Sequence, residues 1–202
     1  MKGILTYVHQ SEEVQSLITG IEERLSEQLV AGLSGSSRSA YIADVYLQTK
    51  RSTIVVTHNL FQAQKIYEDL VQFLSEDEVY LYSANELIAA ELSVASPELR
   101  AQRIEVLNKL SQRQNGVYIV PVSGLRKILP PMDLWIKNQI RFNVGEDIDL
   151  DEVLNQLVQM GYQRAGMVST PGEFSLRGGI VDIFPLTSQH PVRIELFDTE
   201  ID

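Results

Sequence analysis

The sequence predicts an α/β protein in which a parallel-sheet domain with a degenerate P-loop is followed by a smaller α/β domain with an antiparallel meander. Continuous apolar runs alternate with amphipathic segments in the first half, a pattern typical of a parallel sheet covered by helices. A glycine- and serine-rich loop over residues 32–39 lies between a predicted strand and a predicted helix. Towards the end of the chain, short alternating runs separated by glycine and proline indicate β-hairpins.

The elements of the first domain follow from the spacing of apolar residues. Apolar side chains recur every three or four positions after Ser11, which predicts a helix that begins there and buries one face. Leu29 to Leu33 is predicted to form a buried strand, followed by the loop and by a helix over residues 40–47. The remaining predicted elements are a strand over residues 53–57, a helix over 60–74, a strand over 79–82, a helix from Pro97 to about Ser111 with Ser96 as its N-cap, and a strand over 116–121. Residues 84–95 fit either a loop or a short helix.

A pair of prolines marks the predicted domain boundary. Pro130 and Pro131 permit neither a helix nor a central strand, so we place the two domains at residues 1–127 and 128–202.

In the second domain, alternation over residues 136–144 predicts a strand, and Asp149 is predicted to cap a helix that continues to Gly161. The segment from Gly172 to Pro185 predicts a strand, a turn and a second strand, and the alternating residues 192–197 add a third. These three strands form the predicted meander. Arg177 lies at its glycine-rich corner, beside Gly178 and Gly179.

The composition excludes several classes of function. The chain of 202 residues has no cysteine and three scattered histidines, which argues against disulfides, a metal site and histidine-based catalysis. With 17 basic and 27 acidic residues its net charge is −10, so independent binding to DNA is not expected. No apolar run approaches the roughly 20 residues that span a bilayer, and no signal peptide is visible. We therefore expect a cytoplasmic globular protein without membrane contact.

The loop over residues 32–39 has the spacing of a phosphate-binding P-loop but lacks two of its defining residues. Gly32 and Gly35 are present, whereas Ser37 replaces the second motif glycine and Arg38 replaces the lysine. Ser39 keeps the hydroxyl that contacts magnesium in an intact motif, but no acidic partner for such an ion is evident. We therefore predict a degenerate P-loop that binds no nucleotide and needs no cofactor, and a chain without catalytic residues.

Several segments together form one long pattern. Residues 32–59 end in Thr-Ile-Val-Val-Thr-His-Asn, and residues 116–124 read Gly-Val-Tyr-Ile-Val-Pro-Val-Ser-Gly. Gly-Tyr-Gln-Arg over residues 161–164, the hairpin over 172–185, and residues 192–198 with 200–201 complete it. This pattern resembles the UvrB-like N-terminal module of bacterial transcription-repair coupling factors and covers nearly the whole chain. Loss of the P-loop lysine separates that module from the excision-repair helicase UvrB, which it otherwise resembles.

The resemblance implies a degenerate helicase-like first domain and a second domain that binds UvrA. Arg164, after the Gly-Tyr pair, and Arg177, in the Arg-Gly turn, match positions that contact UvrA in the family. Phe174 and Phe184 are further candidates for this contact because they flank the turn. UvrB has an additional arginine where this chain has Ser175. We expect Arg164 and Arg177 on one accessible surface.

The resemblance also implies a role for the parent protein, whose absent domains would displace stalled RNA polymerase on DNA while this module recruits UvrA. Two alternatives stay open. The chain could be a nucleotide-binding fragment of a UvrB-type DNA helicase, or its acidic surface could dock on the motor domains of its own parent and mask the arginines.

Overall fold

The structure, a computed structural model, describes residues 2–83, 97–126 and 128–202. The protein is α/β, with a three-stranded parallel sheet and a mixed five-stranded sheet. The chain divides into two units, one formed by Met1–Ala95 and Val106–Ile128 and the other by Ser96–Glu105 and Leu129–Asp202. The predictions for residues 84–95 and for the Ser96 cap lie outside the described residues.

The first unit is built around a parallel sheet of β1 (Thr53–Thr57), β2 (Val79–Leu81) and β3 (Val117–Pro121), in the order β1-β3-β2. Five consecutive residues of β3 are buried, as expected for a central strand covered on both faces. Its helices are α1 (Lys2–His9), α2 (Glu12–Glu22), α3 (Ser37–Thr49), α4 (Leu60–Leu70) and α6 (Val122–Leu125), and α5 (Pro97–Ser111) precedes β3 in the chain. A 3-10 helix over Glu76–Glu78 leads into β2.

Two helices in this unit begin at side-chain caps, and the cap at Ser11 is the predicted one. The Ser11 side chain accepts a hydrogen bond from the Val14 backbone at the start of α2, and Asn59 accepts one from Gln62 at the start of α4. The apolar face of α4 then packs into a core cluster that also contains residues of β2 and β3. The predicted helix after Ser11 and the strands over 53–57 and 116–121 are thus confirmed.

The second unit contains α7 (Met132–Lys137), α8 (Leu150–Gln159), and the five-stranded sheet β4 (Gln163–Arg164), β5 (Glu173–Arg177), β6 (Ile180–Ile183), β7 (Val192–Phe197) and β8 (Glu200–Ile201). The strands follow one another in sequence order, with β4 parallel to β5 and all later pairs antiparallel. Asp149 caps α8 by accepting a hydrogen bond from the Glu152 backbone, as predicted. Val153 and Leu157 of α8 join the core that covers one face of the sheet.

Two predicted strands are wrong. Residues 29–33 form no regular element, the Leu29 side chain is 93% exposed, and Gly32 adopts a left-handed φ of 83° that interrupts an extended chain. The segment 136–144 begins inside α7, which starts after Pro131 in an extended conformation, and residues 139–144 are irregular. Apolar residues in both segments were mistaken for the buried face of a strand.

The sequence did not predict α1, the 3-10 helix Glu76–Glu78, α6, or the two-residue strands β4 and β8. No helix in the described ranges combines the length and the apolar character that crossing a membrane requires.

Candidate functional site

The predicted hairpin is present, and its turn brings a charged side chain to the end of a regular strand. Arg177 pairs with Ile180, so Gly178 and Gly179 form a two-residue turn between β5 and β6. Gly178 has a left-handed φ of 61°, which glycine adopts without steric cost. A side chain at Gly179 would approach the Leu196 backbone oxygen to 2.8 Å, so this turn packs directly on β7. The turn therefore fixes the backbone position of Arg177.

Strand alternation separates the two faces of this sheet. Phe174 and Leu176 of β5, Val181 and Ile183 of β6, and Ile194 of β7 face the core. The side chains between them lie on the opposite face, which we call the arginine face: Glu173, Ser175, Arg177, Ile180, Asp182, Arg193 and Glu195. The cross-strand row Ser175, Asp182 and Arg193 crosses this face, with Arg177 diagonal to Asp182.

Asp182 is the hydrogen-bonding centre of the arginine face. Its Oδ1 accepts a hydrogen bond from Arg193 Nε at 2.7 Å, and its Oδ2 accepts one from Arg193 Nη2 at 3.1 Å and one from Arg177 Nη2 at 3.4 Å. The residue is 8% exposed. Hydrogen bonds from Arg193 are the main cause that holds the pKa of Asp182 below its usual value, with a smaller contribution from Arg177. The carboxylate is therefore ionised and anchored between two cations.

Both guanidinium groups stay accessible although they contact Asp182. The Arg177 side chain is 59% exposed and the Arg193 side chain is 55% exposed. Neither arginine is buried against its own carboxylate, so each still has N–H donors available for a second acceptor. The arginine face is therefore a surface on which two exposed guanidiniums share one largely buried anion.

Arg164 does not join this face. It lies on β4 and pairs in parallel register with Phe174, whose side chain faces the core. Paired residues on neighbouring strands point to the same side of a sheet, so Arg164 projects to the side opposite Arg177, at the sheet's β4 edge. Arg164 is exposed. The expectation of a single surface for the two arginines is therefore wrong, since the register places them on opposite sides.

The two phenylalanines have different environments. Phe174 is 1% exposed and belongs to the core cluster, so it supports the sheet and presents no surface to a partner. Phe184 follows β6 and is partly buried, while its backbone N–H and carbonyl pair with Glu173 and Gly172. Of the two, only Phe184 offers accessible surface.

Ser175 occupies the position where the resemblance to UvrB would place an arginine. It is 2% exposed, and its Oγ is buried without a hydrogen-bond partner in the described part of the chain. The positive charges of the arginine face therefore come from Arg177 on β5 and Arg193 on β7, and not from position 175. Arg193 and Asp182 were not singled out from the sequence, although the alternation of residues 192–197 already predicted that the Arg193 side chain is exposed to solvent.

The serine hydroxyls of the P-loop-like segment form hydrogen bonds within the protein. The Ser37 hydroxyl donates to the Ser34 carbonyl at 2.6 Å and accepts from the Ser34 N–H at 3.1 Å. Ser39 is 1% exposed, and its hydroxyl donates to Asp69 at 3.1 Å. Gly35, like Gly32, has a left-handed φ, and no strand lies before the loop within described residues 2–31. These hydroxyls are therefore engaged in local structure.

A cavity of about 330 Å³ lies beside this segment. Its lining is mostly apolar, with Arg38 as its charged member; the lining residues are Leu17, Val30, Gly32, Leu33, Arg38, Tyr41, Ile42, Val45 and Thr53. None of these lining residues is an acid that could hold the magnesium ion of a bound triphosphate. Across the described ranges, no group of three or more metal-ligating side chains is assembled.

Comparison with known proteins relates the second unit to an interaction domain and the whole chain to a repair factor. Residues 140–202 match the family described as the UvrB interaction domain. The whole chain is 50% identical over 202 residues to the transcription-repair-coupling factor of Bacillus subtilis (strain 168), and spans 17% of that protein. The corresponding proteins of Staphylococcus haemolyticus and Staphylococcus aureus (strain USA300) are 49% identical over 174 residues, which cover 86% of this chain and 15% of theirs.

These findings confirm the resemblance to transcription-repair coupling factors that the sequence predicted. The match to the interaction domain includes the whole arginine face and both predicted arginines. The chain corresponds to a small part of the relatives it matches, 15–17% of their length.

Proposed function

We propose that this chain is the non-catalytic docking module of a transcription-repair coupling factor, and that it recruits UvrA in nucleotide excision repair. The second unit makes the contact. Arg177 and Arg164 are its main charged groups, and Phe184 is an accessory apolar contact. The first unit supports the module and turns over no substrate. This role belongs in the bacterial cytoplasm, where transcription and repair take place.

One observation carries the proposal: the Arg177 side chain is 59% exposed at a fixed turn, inside the segment that matches the UvrB interaction domain. The strand fixes the Arg177 backbone and the hydrogen bond to Asp182 restrains its side chain, so less conformational freedom is lost on binding. The surrounding chain is acidic, with a net charge of −10, so an exposed arginine pair favours a selective contact with an acidic protein surface over bulk attraction to DNA.

The opposite placement of Arg164 and Arg177 shapes the proposed contact. A partner that touches both arginines has to reach around the β4 edge of the sheet. Because β4 has only two residues, the edge is narrow and a long arginine side chain can extend past it. We propose that UvrA grips this edge, with Arg177 on one side and Arg164 on the other.

The first unit is proposed to be a helicase-type domain that has lost its nucleotide site. The parallel sheet and the spacing of Gly32, Gly35 and Ser39 support that ancestry. Ser37 and Arg38 replace the motif residues, and the Ser39 hydroxyl, which contacts magnesium in an intact motif, is 1% exposed and donates to Asp69. These contacts count against the alternative of a nucleotide-binding helicase fragment.

A pull-down with UvrA tests the proposal. Arg177→Glu is expected to reduce capture at least ten-fold, because a charge reversal at an interface centre replaces an attraction by a repulsion. Arg164→Glu is expected to reduce capture less, and the double variant is expected to abolish it. Arg141→Glu is the matched control, since Arg141 is an exposed arginine of the same unit outside the sheet. Full capture by the double variant would refute the docking role.

The parent protein is proposed to be an ATP-dependent DNA translocase whose other domains engage RNA polymerase and DNA. The module could also dock on those motor domains and hide its arginines. The affinity of UvrA for this chain, compared with its affinity for the intact parent, measures such masking. Equal affinities would exclude it.

A further inference from the structure

We propose that Asp182 is a positioning residue, which holds Arg177 and Arg193 as a paired receptor for one carboxylate side chain of the partner. The inference rests on the docking function proposed above and adds two residues to it. It also specifies the chemistry of the group that the partner presents, an aspartate or glutamate.

The sheet register places the three charged side chains next to one another on one face. Asp182 on the central strand β6 pairs directly with Arg193 on β7, and Arg177 on β5 is diagonal to it. All three backbones belong to hydrogen-bonded strands, so their spacing is set by the sheet and not by flexible loops. Asp182 can therefore reach both guanidiniums at once, as the 2.7 Å and 3.4 Å contacts show.

The geometry at Arg193 leaves its outer edge open. A guanidinium carries five N–H donors in a plane, and Asp182 uses the edge formed by Nε and Nη2. The end formed by Nη1 and the second hydrogen of Nη2 points away from Asp182. From that end, the guanidinium is able to donate two parallel hydrogen bonds to a second carboxylate. Arg177 uses only Nη2, so its remaining donors are also available.

Asp182 itself does not form the contact surface. Its side chain is 12% exposed, against 59% for Arg177 and 55% for Arg193. Arg177 and Arg193 carry two positive charges on this face, and Asp182, Glu195 and Glu173 carry three negative charges. Glu195 lies two residues after Arg193 on β7, and the Glu173 carboxylate is engaged by the backbone N–H groups of Ser169 and Thr170. A partner carboxylate is therefore attracted by the open N–H donors of the two guanidiniums and not by a net positive charge of the face.

Fixing the guanidiniums before binding lowers the conformational cost of the contact. Without Asp182, each arginine would sample many rotamers and would have to be ordered by the partner. Removing the carboxylate also raises the local positive charge, which acts in the opposite direction. The sign of the effect of Asp182 on affinity therefore decides between positioning and neutralisation.

A double-mutant cycle with UvrA separates these roles. Asp182→Asn keeps the shape of the side chain and is expected to weaken UvrA binding about ten-fold when Arg193 is present. In the Arg193→Ala background the same change is expected to cost less than about three-fold, because one of the two groups that it positions is gone. Titration at low ionic strength keeps the weaker variants within range. Thermal melts of each variant confirm that the chain is folded.

A second measurement follows the arginine directly and needs no partner. In the free chain, the Nε–H resonance of Arg193 is expected to shift and to exchange faster with solvent in Asp182→Asn, and to be largely restored in Asp182→Glu. If Asp182→Asn acted only by destabilising the backbone, Asp182→Glu would not be expected to restore the Arg193 Nε–H signal.

Three results would overturn the positioning role: unchanged binding by Asp182→Asn, tighter binding, or an equal loss with and without Arg193. Tighter binding would show that Asp182 neutralises the arginines. Failure of the docking function is distinguishable, because Arg177→Glu would then leave UvrA binding intact. If Arg177→Glu weakens binding while Asp182→Asn does not, only the positioning role is refuted.

Discussion

Two short segments of this chain combine arginine with glycine and serine, and the structure treats them differently. In the loop over residues 32–39, the hydroxyls of Ser37 and Ser39 bind within the fold, and Arg38 lines a mostly apolar cavity. In the hairpin, Arg177 extends from a paired strand and shares Asp182 with Arg193. The same residue types thus serve local structure in one place and present charge in the other. The rigid strand and the anchored carboxylate make the difference.

The core beneath the arginine face gives the largest expected effect of a substitution. Phe174→Ala removes a side chain that is 1% exposed and is expected to lower the free energy of unfolding by about 3–5 kcal/mol. Phe197→Ala is the control, since Phe197 is 83% exposed on the same sheet and its loss is expected to change stability by less than about 0.5 kcal/mol. Urea unfolding of both variants measures the contrast. Similar losses would show that Phe174 is not a core residue.

The helix caps provide a smaller contrast between the two regions. Asp149 accepts a hydrogen bond at the start of α8, and Asp149→Ala is expected to cost about 1 kcal/mol. Ser36 has no side-chain cap hydrogen bond at the start of α3, and Ser36→Ala is expected to cost less than about 0.5 kcal/mol. Urea midpoints test both changes. An equal cost at the two positions would contradict the account of the loop.

The stability of the first unit is expected to depend on pH in the alkaline range, and that of the second unit in the acid range. In the first unit, burial raises the pKa of Tyr46 and Tyr118 to about 12, and the Glu78 contact adds to the effect at Tyr46. Because the folded pKa lies above the unfolded value near 10, this stabilisation is complete below about pH 10 and disappears as the pH rises through about 12. Tyr46→Phe and Tyr118→Phe should flatten the alkaline loss of melting temperature.

At the acid end, Asp182 in the second unit has a lowered pKa because Arg193 and Arg177 hydrogen-bond to it. Its contribution is present above the unfolded pKa of about 3.9 and is lost as the pH falls through the lower folded value. Asp182→Asn should flatten the acid loss of melting temperature and leave the alkaline loss unchanged. An effect of this variant at high pH would contradict the assignment.

Restoring the P-loop sequence is the change with the smallest expected effect. The double variant Ser37→Gly and Arg38→Lys recreates the motif residues, but the described residues before the loop form no strand and the Ser39 hydroxyl is still buried against Asp69. Isothermal titration with ATP and magnesium is expected to give no saturable heat up to about millimolar nucleotide. Saturable binding would show that the loop sequence alone determines the site.

Sequence predicted the elements in which local and long-range preferences agree. In the β-branched run Thr53–Thr57 and in the hairpin around Gly178, the apolar pattern favours a strand and the residues that follow it favour a turn or a break. Both elements appear in the structure. Residues 29–33 were apolar without being buried, because hydrophobicity does not reveal whether a neighbouring strand is present to pair with. Segment 136–144 failed for the same reason.

The site was predictable only in part. Arg177 was found from its turn and from the resemblance. The roles of Asp182 and Arg193 depend on strand register, which determines the side chains that lie next to each other on β5, β6 and β7. Register also moved Arg164 to the other side of the sheet and Phe174 into the core. None of these assignments follows from residue type.

The most direct test of the account is a quantitative titration of UvrA against the wild-type chain and Arg177→Glu, with thermal melts of both proteins in the same buffer. The charge reversal is expected to weaken binding by more than about 30-fold, equivalent to about 2 kcal/mol, while the melting temperature stays within about 2 °C. An unchanged dissociation constant with an unchanged melt would contradict the central claim that the arginine face docks UvrA.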